Sequence, residues 1–243
     1  MSNEHKRIAL VTGATRGIGL ETVRQLARRG VQVLLGAREI AAGRARAAEL
    51  GTEGLAVDPI HVDVIRHETA VDAAAQIARD YGRLDILVNN AGIISHSDTY
   101  ASTVDPNTLR EVLEVNFIGN TVVTQTMLPL LRKSSGGRIV NVSSSVGSFW
   151  WNGDTTNPVT ERWLAYSAAK VALNMMTTLL AYELRDTKIK VNSICPGEVR
   201  TDMTGGHGEF SVEEGARASV HYALIGDEGP TGGFFNADGR LAW

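Results

Sequence analysis

The chain has 243 residues, of which 43% are hydrophobic and 21% charged, and its formal net charge at neutral pH is -3. This composition is typical of a globular protein, and the length allows one large domain or two small ones. The slightly negative charge gives no reason to expect nucleic acid or an anionic membrane as a partner.

The cysteine content and the start of the chain indicate a cytoplasmic protein. The single cysteine, Cys195, excludes an internal disulfide, and we interpret it as a small buried residue rather than a nucleophile. Residues 1–6 are polar and predicted to be flexible, and they lack the apolar core of a signal peptide. No apolar run approaches the ~18 residues of a membrane span. No cluster of histidine, cysteine and acidic residues has metal-ligand spacing, so no metal is predicted.

Short β-branched runs alternate along the chain with longer segments of helical periodicity. Strands are predicted over residues 8–12, 31–35, 60–64, 84–88, 138–142, 189–194 and 234–235. Helices are predicted over residues 18–29, 40–50, 67–80, 107–133 (as two segments), 164–185 and 212–224. Such alternation requires crossover connections, so we predict an α/β fold with a parallel sheet and helices on both faces. Without repeats or linkers, residues 1–243 are expected to form a single domain.

A glycine-rich loop follows the first predicted strand and opens the first helix. Glycines allow a sharp strand-to-helix turn and let a dinucleotide pyrophosphate approach the backbone, and the helix N-terminus presents free N–H groups to it. The strand–turn–helix context favours this interpretation over a plain tight turn. The candidate binding residues are Gly13, Thr15, Arg16, Gly17, Ile18 and Gly19.

Tyr166 and Lys170 are four residues apart in a predicted helix, so both side chains leave the same face. A phenol next to an ammonium is a way to make a usable proton donor, because the positive charge stabilises the phenolate. By itself such a pair is more often a solvated helix face, so its meaning depends on the other motifs of the chain.

Four motifs stand in one order: Gly-x-x-x-Gly-x-Gly at 13–19, Asn-Asn-Ala-Gly at 89–92, Tyr-x-x-x-Lys at 166–170 and Pro-Gly at 196–197. With them the chain resembles the short-chain dehydrogenase/reductase family, and within it the carbonyl reductases, over almost its whole length. The resemblance implies a Rossmann-type, doubly wound sheet and a nicotinamide cofactor. Beyond the glycine loop, the implied cofactor contacts are Asp63, Val64, Asn90, Ala91, Gly92, Tyr166, Lys170, Pro196, Gly197, Val199 and Thr201.

The end of the second strand predicts which nicotinamide is bound. Family members that favour NAD carry an acid where this chain has Ala37. Arg38 follows, and Arg16 adds a second positive charge to the same corner, so a 2′-phosphate would find guanidinium partners. We therefore predict NADP(H) in preference to NAD(H), although Glu39 stands only one position beyond the expected acid.

The resemblance also implies the catalytic residues Asn116, Ser144, Tyr166 and Lys170. Three consecutive serines follow the fifth strand, and we select the middle one over Ser143 and, least favoured, Ser145. Tyr166 is expected to protonate the substrate oxygen and Ser144 to hold it. Lys170 is expected to bind the cofactor ribose and lower the pKa of Tyr166, and Asn116 to position a water that links Lys170 to solvent.

Two segments depart from the family pattern. Residues 148–163 read as an inserted loop, in which Trp150 and Trp151 either form a wall of the substrate pocket or pack as a local cluster. Residues 202–211 are glycine-rich and stand where relatives carry a substrate lid. The predicted substrate contacts are Ser144, Trp150, Trp151, Tyr166, Glu198 and Met203. Many relatives form homodimers or homotetramers through the helix that carries Tyr166. The insertion lies at the start of this helix and could obstruct that face, so a monomer remains an alternative.

These observations predict an NADPH-dependent enzyme that reduces a ketone or aldehyde to an alcohol by hydride transfer, with a small-molecule carbonyl or alcohol as its partner. One alternative is NADP-dependent oxidation of a secondary alcohol, which uses the same residues in reverse. Another is a nucleotide-sensing Rossmann protein without catalysis, which would have no need of Ser144, Tyr166 and Lys170.

Overall fold

A computed structural model describes residues 6–156 and 163–243 of the chain. The strands are β1 (Ile8–Val11), β2 (Gln32–Ala37), β3 (Val57–His61), β4 (Ile86–Asn89), β5 (Arg138–Val142), β6 (Lys190–Ile194) and β7 (Phe234–Phe235). The helices are α1 (Gly17–Arg28), α2 (Ile40–Thr52), α3 (His67–Asp80), α4 (Pro106–Leu113), α5 (Asn120–Leu131), α6 (Phe149–Gly153), α7 (Leu164–Glu183) and α8 (Val212–Leu224). A π-helix, Glu114–Gly119, joins α4 to α5, and short 3-10 turns lie at Ser145–Gly147 and Asp202–Thr204.

All seven strands form one sheet in the order β3-β2-β1-β4-β5-β6-β7, and every pairing is parallel. The chain moves outward from β1 to β3 and then crosses over to β4 on the other side of β1. A crevice therefore opens between the carboxyl ends of β1 and β4, where open α/β sheets bind their ligands. The predicted Rossmann-type fold is confirmed.

Helices cover both faces of the sheet, as predicted. Ala9 and Val11 of β1 point into one apolar cluster, which α1, α2 and α8 complete. Ile8 and Leu10 point to the opposite face, where α3 and α5 supply the other side of a second cluster. Successive strand residues alternate between the faces, so a fully apolar strand is buried from both sides.

Helix ends follow the capping residues of the sequence. Asp105 caps α4 by accepting from the N–H groups of Asn107 and Thr108, at 2.9 and 3.1 Å, with Pro106 at the first helical position. Ser211 and Glu214 form a capping box at the start of α8. Such local signals explain why the predicted bounds of α8 agree with the structure.

Two predicted elements were misplaced. The third strand spans Val57–His61 instead of residues 60–64, and it contains Pro59. A proline is tolerated there because β3 is an edge strand, whose outer side needs no N–H donor. The first part of the predicted inserted loop forms helix α6, since the Ser148 hydroxyl accepts from the N–H of Trp151 at 3.2 Å and caps a helical turn.

Some predicted features fall on residues that the structure does not describe. Residues 1–5 of the predicted flexible terminus and residues 157–162 of the insertion lie outside the described ranges. Within those ranges, none of the helices combines the length and the apolar character needed to cross a bilayer.

Candidate active site

The glycine loop has the geometry of a phosphate cradle. Gly13 and Gly17 adopt positive φ angles of 60° and 55°, which other residues adopt only with strain. A Cβ on Gly13 would lie 2.8 Å from the Cα of Ala91, and one on Gly19 would lie 2.7 Å from the carbonyl oxygen of Gly13. Among the described residues, no side chain caps the start of α1, so its first N–H groups are available to bind an anion. The loop therefore fits the pyrophosphate of a dinucleotide.

The ends of β1 and β4 are locked together beneath this cradle. The Thr12 hydroxyl accepts from the N–H groups of Asn90 and Ala91 at 3.1 and 3.0 Å. The Asn90 amide donates to the carbonyl oxygens of Thr12 and Gly13 at 2.9 and 3.1 Å. These bonds give the predicted cofactor floor a fixed shape at the switch point of the sheet.

The two predicted phosphate-binding arginines differ in their surroundings. Arg38 directly follows β2 and is exposed, and its guanidinium has no hydrogen bond or ion pair with another described residue. Arg16 instead lies 3.0 Å from the carboxylate of Asp202, in a pair whose side chains are 70% and 72% exposed. Arg38 is thus directly available to an anion, whereas Arg16 is shared with the segment that follows β6.

Other predicted cofactor contacts lie along the same edge of the sheet. Asp63 follows β3, and its carboxylate accepts from the N–H of Ile65 at 3.2 Å. Gly197 adopts a φ of 80°, and its Cβ position is filled by the ring of Phe210. Thr201 packs against the glycine loop, since a Cβ on Gly17 would lie 3.5 Å from its Cγ2. The Pro-Gly segment and the glycine loop therefore border the same groove.

Tyr166 and Lys170 occupy the first two turns of α7, on the face directed at β5. The Lys170 Nζ donates to the carbonyl oxygen of Val142 at 2.8 Å and lies 5.4 Å from the centroid of the Tyr166 ring. The Ser144 hydroxyl lies close enough to the Tyr166 phenol to lower its pKa, and both residues line one cleft. The structure thus brings together the predicted proton donor, its neighbouring cation and the predicted serine.

The three consecutive serines have different surroundings, and these favour Ser144 as the functional one. The Ser143 hydroxyl is buried with no hydrogen-bond partner among the described residues. The Ser145 side chain lies beside Cys195 and acts to lower the pKa of that thiol. Only Ser144 of the three lines the cleft beside Tyr166.

Asn116 lies in the π-helix, where one extra residue widens the turn. It is fully buried, and its amide both accepts from the N–H of Ile93 at 2.7 Å and donates to the Ile93 carbonyl at 2.8 Å. A Cβ on Gly92 would lie 2.9 Å from the Asn116 Oδ1 and 3.6 Å from the Lys170 Nζ. Asn116 and Lys170 therefore face each other across Gly92. Such π-helical insertions occur frequently at functional sites.

Burial shifts the pKa values of Tyr166 and Lys170. Desolvation raises the pKa of Tyr166 above its usual value, with a smaller contribution from Cys195, and the Ser144 hydrogen bond only partly opposes this. Desolvation also lowers the pKa of Lys170 to about 8. Desolvation therefore decides the direction of the Tyr166 pKa shift in this structure, and a lowering of that pKa by Lys170 stays a prediction. Tyr166 is held in its protonated form, which is the form that can donate.

The cleft beside Tyr166 is lined by apolar and hydroxyl side chains and one carboxylate. Its lining residues are Ile94, Ser144, Val146, Trp163, Tyr166, Ser167 and Glu198. Three of the predicted substrate contacts, Ser144, Tyr166 and Glu198, are therefore brought together. Trp163, which directly precedes α7, supplies the aromatic surface of the cleft.

The remaining predicted substrate contacts lie apart from these lining residues. Trp150 is 64% exposed on α6, where its backbone N–H donates to the carbonyl oxygen of Trp243 at 3.0 Å. Trp151 is half-buried, and its ring N–H has no partner among the described residues. Met203 is exposed in the 3-10 turn Asp202–Thr204. Substrate contact by these three residues stays a prediction.

Known proteins with the same features identify the family. A family model described as short chain dehydrogenase matches residues 7–211. The chain belongs to the short-chain dehydrogenase family. Salutaridine reductase from Papaver somniferum is 30% identical over 95% of this chain and 94% of that protein. NADPH carbonyl reductase 1 from Bos taurus is 35% identical over 97% and 98%. A solved structure of actinorhodin polyketide ketoreductase with NADPH is 28% identical, with a TM-score of 0.83 over 97% of both chains.

Membership confirms the resemblance that the four motifs indicate, and it makes this short-chain dehydrogenase an oxidoreductase. Its relatives are named as reductases and dehydrogenases, and the chain spans almost the whole length of each. Within the described ranges, no group of three histidine, cysteine or acidic side chains is arranged to hold a metal ion.

Two further residues of this short-chain dehydrogenase bind the backbone beside its predicted catalytic groups, and the sequence analysis did not identify them. Asp98 accepts from the N–H groups of Ala165 and Tyr166 at 3.0 and 2.8 Å. Asn120 donates to the carbonyl oxygens of Val115 and Asn116 at 3.1 and 3.0 Å, and so supports the π-helix. An asparagine inside a predicted helix was a signal for Asn120, but nothing near Asp98 in the sequence points to a helix 67 residues away.

Proposed function

We propose that this protein is an NADPH-dependent carbonyl reductase, which reduces a ketone or aldehyde to an alcohol. The observation that carries the proposal is the shared cleft of Ser144 and Tyr166, with Lys170 behind it and the glycine cradle at the same edge of the sheet. The names of its relatives, salutaridine reductase and NADPH carbonyl reductase, support reduction of a carbonyl.

The described residues divide the work of binding and proton transfer. The glycine loop, Asn90 and the Pro-Gly segment would hold a nicotinamide dinucleotide, which supplies the hydride when bound. Tyr166 donates its phenolic proton to the carbonyl oxygen as negative charge grows there. The Ser144 hydroxyl donates a hydrogen bond to the same oxygen and stabilises that charge.

Lys170 and Asn116 support proton transfer by Tyr166 without lining the cleft. With a pKa of about 8, Lys170 is predominantly charged at neutral pH but close to its titration point. Its positive charge stabilises the phenolate that remains after Tyr166 has given up its proton. Asn116 faces it across Gly92, in a position from which a bound water would return a proton to this group.

Charge at the end of β2 supports NADP(H) over NAD(H). Ala37 is buried at the last position of the strand, so no acid stands there to accept from ribose hydroxyls or to repel a 2′-phosphate. The exposed Arg38 guanidinium follows at once and has no competing partner among the described residues. A guanidinium suits the bidentate binding of a phosphate.

The single, buried thiol of Cys195 supports a cytoplasmic location.

The test is turnover of a panel of ketones and aldehydes with NADPH. Wild-type protein is expected to consume NADPH, and Tyr166→Phe is expected to lose roughly 10²- to 10⁴-fold in kcat, because the variant has no proton to donate. Tyr100→Phe is the matched control, since Tyr100 is an exposed tyrosine that is not among the cleft residues. Tight NADPH binding without turnover of any carbonyl would point to a nucleotide sensor instead.

A further inference from the structure

The cleft beside Tyr166 carries a single charge. Of the described residues that line it, six are apolar, aromatic or hydroxylic, and only Glu198 is ionisable near neutral pH. Lys170 is behind this surface, with its ammonium bound to the carbonyl oxygen of Val142. A substrate that enters the cleft therefore meets one carboxylate and no basic side chain among these lining residues.

The carboxylate of Glu198 is not neutralised by the rest of the described structure. It has no ion pair or hydrogen bond to another described residue. Arg200, the nearest basic residue in sequence, donates instead to the carbonyl oxygens of Gly208 and Glu209 at 3.1 and 2.6 Å. The fold therefore leaves this carboxylate available to a ligand in the cleft.

The backbone that carries Glu198 is fixed on both sides. Gly197 precedes it with a φ of 80°, in a turn where the Phe210 ring occupies the place of a Cβ. The carbonyl oxygen of Glu198 accepts from the N–H of Phe210 at 2.9 Å, and Val199 continues this pairing as a β-bridge to Phe210. The backbone at Glu198 is thus held beside the cleft by a defined turn.

We propose that the cleft selects carbonyl compounds that carry a positively charged amine, and that Glu198 binds the amine. This inference rests on the proposed carbonyl reductase function. The carboxylate would attract the ammonium group while Tyr166 and Ser144 hold the carbonyl oxygen of the same molecule. Trp163, on the lining of the same cleft, offers an aromatic face, which attracts cations through its quadrupole. An anionic substrate would be repelled by the same charge.

The experiment compares two ketones of equal shape that differ only in charge: an aryl ketone with a trimethylammonium substituent and its neutral tert-butyl counterpart. Wild-type protein is expected to favour the cation by about five- to tenfold in kcat/KM, as suits a partly exposed charge pair aided by an aromatic ring. Glu198→Gln is expected to bring the ratio to about one, because the amide carries no charge to attract the cation. High salt is expected to reduce the wild-type ratio, because it screens exposed charges.

Glu209→Gln is the matched control. It removes the same charge from the same segment, but Glu209 is not among the cleft residues, so the preference is expected to persist. Equal ratios in wild type and Glu198→Gln would overturn the inference. If the protein binds the two test ketones without reducing them, each is used as a competitive inhibitor of a ketone that the protein does reduce. The ratio of their inhibition constants is then judged in the same way.

The outcomes separate this inference from the proposed function. Reduction of neutral ketones without preference for the cation leaves the carbonyl reductase standing and removes the role of Glu198. If no carbonyl compound is reduced, the proposed function fails. Calorimetric binding of the two ketones to the NADPH-loaded protein then still decides whether Glu198 recognises the cation.

Discussion

The Asp98 side chain binds directly to the backbone of Tyr166, the predicted proton donor. It is only 4% exposed, and its carboxylate accepts from the first N–H groups of α7, including that of Tyr166 at 2.8 Å. Trp163, at the N-cap position, provides no side-chain hydrogen bond, so the cap comes from a remote loop. The negative charge also stabilises the positive end of a 20-residue helix. We infer that Asp98 positions the Tyr166 phenol relative to Ser144.

Asp98→Asn is expected to reduce kcat about 10- to 100-fold, with a smaller change in KM. The amide offers one acceptor oxygen where two N–H groups need partners, so the first turn of α7 shifts and the phenol is misplaced. Steady-state kinetics of carbonyl reduction measure the effect.

Asp105→Ala is the control, because Asp105 caps α4 by accepting from two backbone N–H groups, at 2.9 and 3.1 Å. It is expected to lose about 1 kcal/mol of unfolding free energy, the usual cost of replacing a cap by alanine, without a fall in kcat. An equal fall in kcat for both variants would show that general loss of stability is responsible.

At the scale of elements, the glycine loop and the predicted lid meet through one exposed ion pair. Arg16 extends from the start of α1, and Asp202 begins the 3-10 turn Asp202–Thr204, whose end is closed by Gly205 with a φ of 62°. The Thr204 hydroxyl donates to the carbonyl oxygen of Val199 at 2.9 Å and ties this turn to the segment after β6. A 2′-phosphate would compete with Asp202 for the Arg16 guanidinium.

Asp202→Asn is therefore expected to tighten NADPH binding about two- to fivefold and to leave NADH binding unchanged. The gain is small because exposed ion pairs are weak, and it is expected to shrink at high salt. Fluorescence titration of both nucleotides measures it without turnover. Glu209→Gln removes a lid charge that makes no ion pair with Arg16 and serves as the control. An equal change in the binding of NADH and NADPH would show instead that Asp202 acts on binding of the pyrophosphate or on the lid.

At the scale of the whole molecule, a buried ammonium makes the stability of the fold depend on pH. Desolvation lowers the pKa of Lys170 from 10.5 to about 8 in the folded protein. Between these values the unfolded chain binds more protons than the folded one, so the free energy of unfolding rises with pH. Tyr166 has the opposite effect above pH 10, because burial raises its pKa and the unfolded chain loses that proton first.

Between pH 7.5 and pH 10 the wild-type protein is expected to gain roughly 2 kcal/mol of unfolding free energy relative to Lys170→Met. The variant has no buried charge at this position, so it lacks this part of the pH dependence. Urea unfolding of both proteins without nucleotide measures the difference. Parallel pH profiles would mean that Lys170 keeps an ordinary pKa in the folded state.

Local signals in the sequence by themselves determined the alternating architecture and the central motifs of the site. Glycine spacing predicted the cradle, four-residue spacing placed Tyr166 and Lys170 on one helix face, and helical periodicity predicted the bounds of α8. These properties depend on neighbours within one helical turn or two strand residues, which a sequence displays directly.

The tertiary structure alone decided the surroundings of these residues. The edge position of β3 made room for Pro59, Trp163 rather than Trp150 came to line the cleft, and Asp98 reached a helix 67 residues away. Desolvation, which raises the pKa of Tyr166, depends on everything packed around the phenol. Burial and long-range contacts arise only when distant segments meet, so no local pattern of residues encodes them.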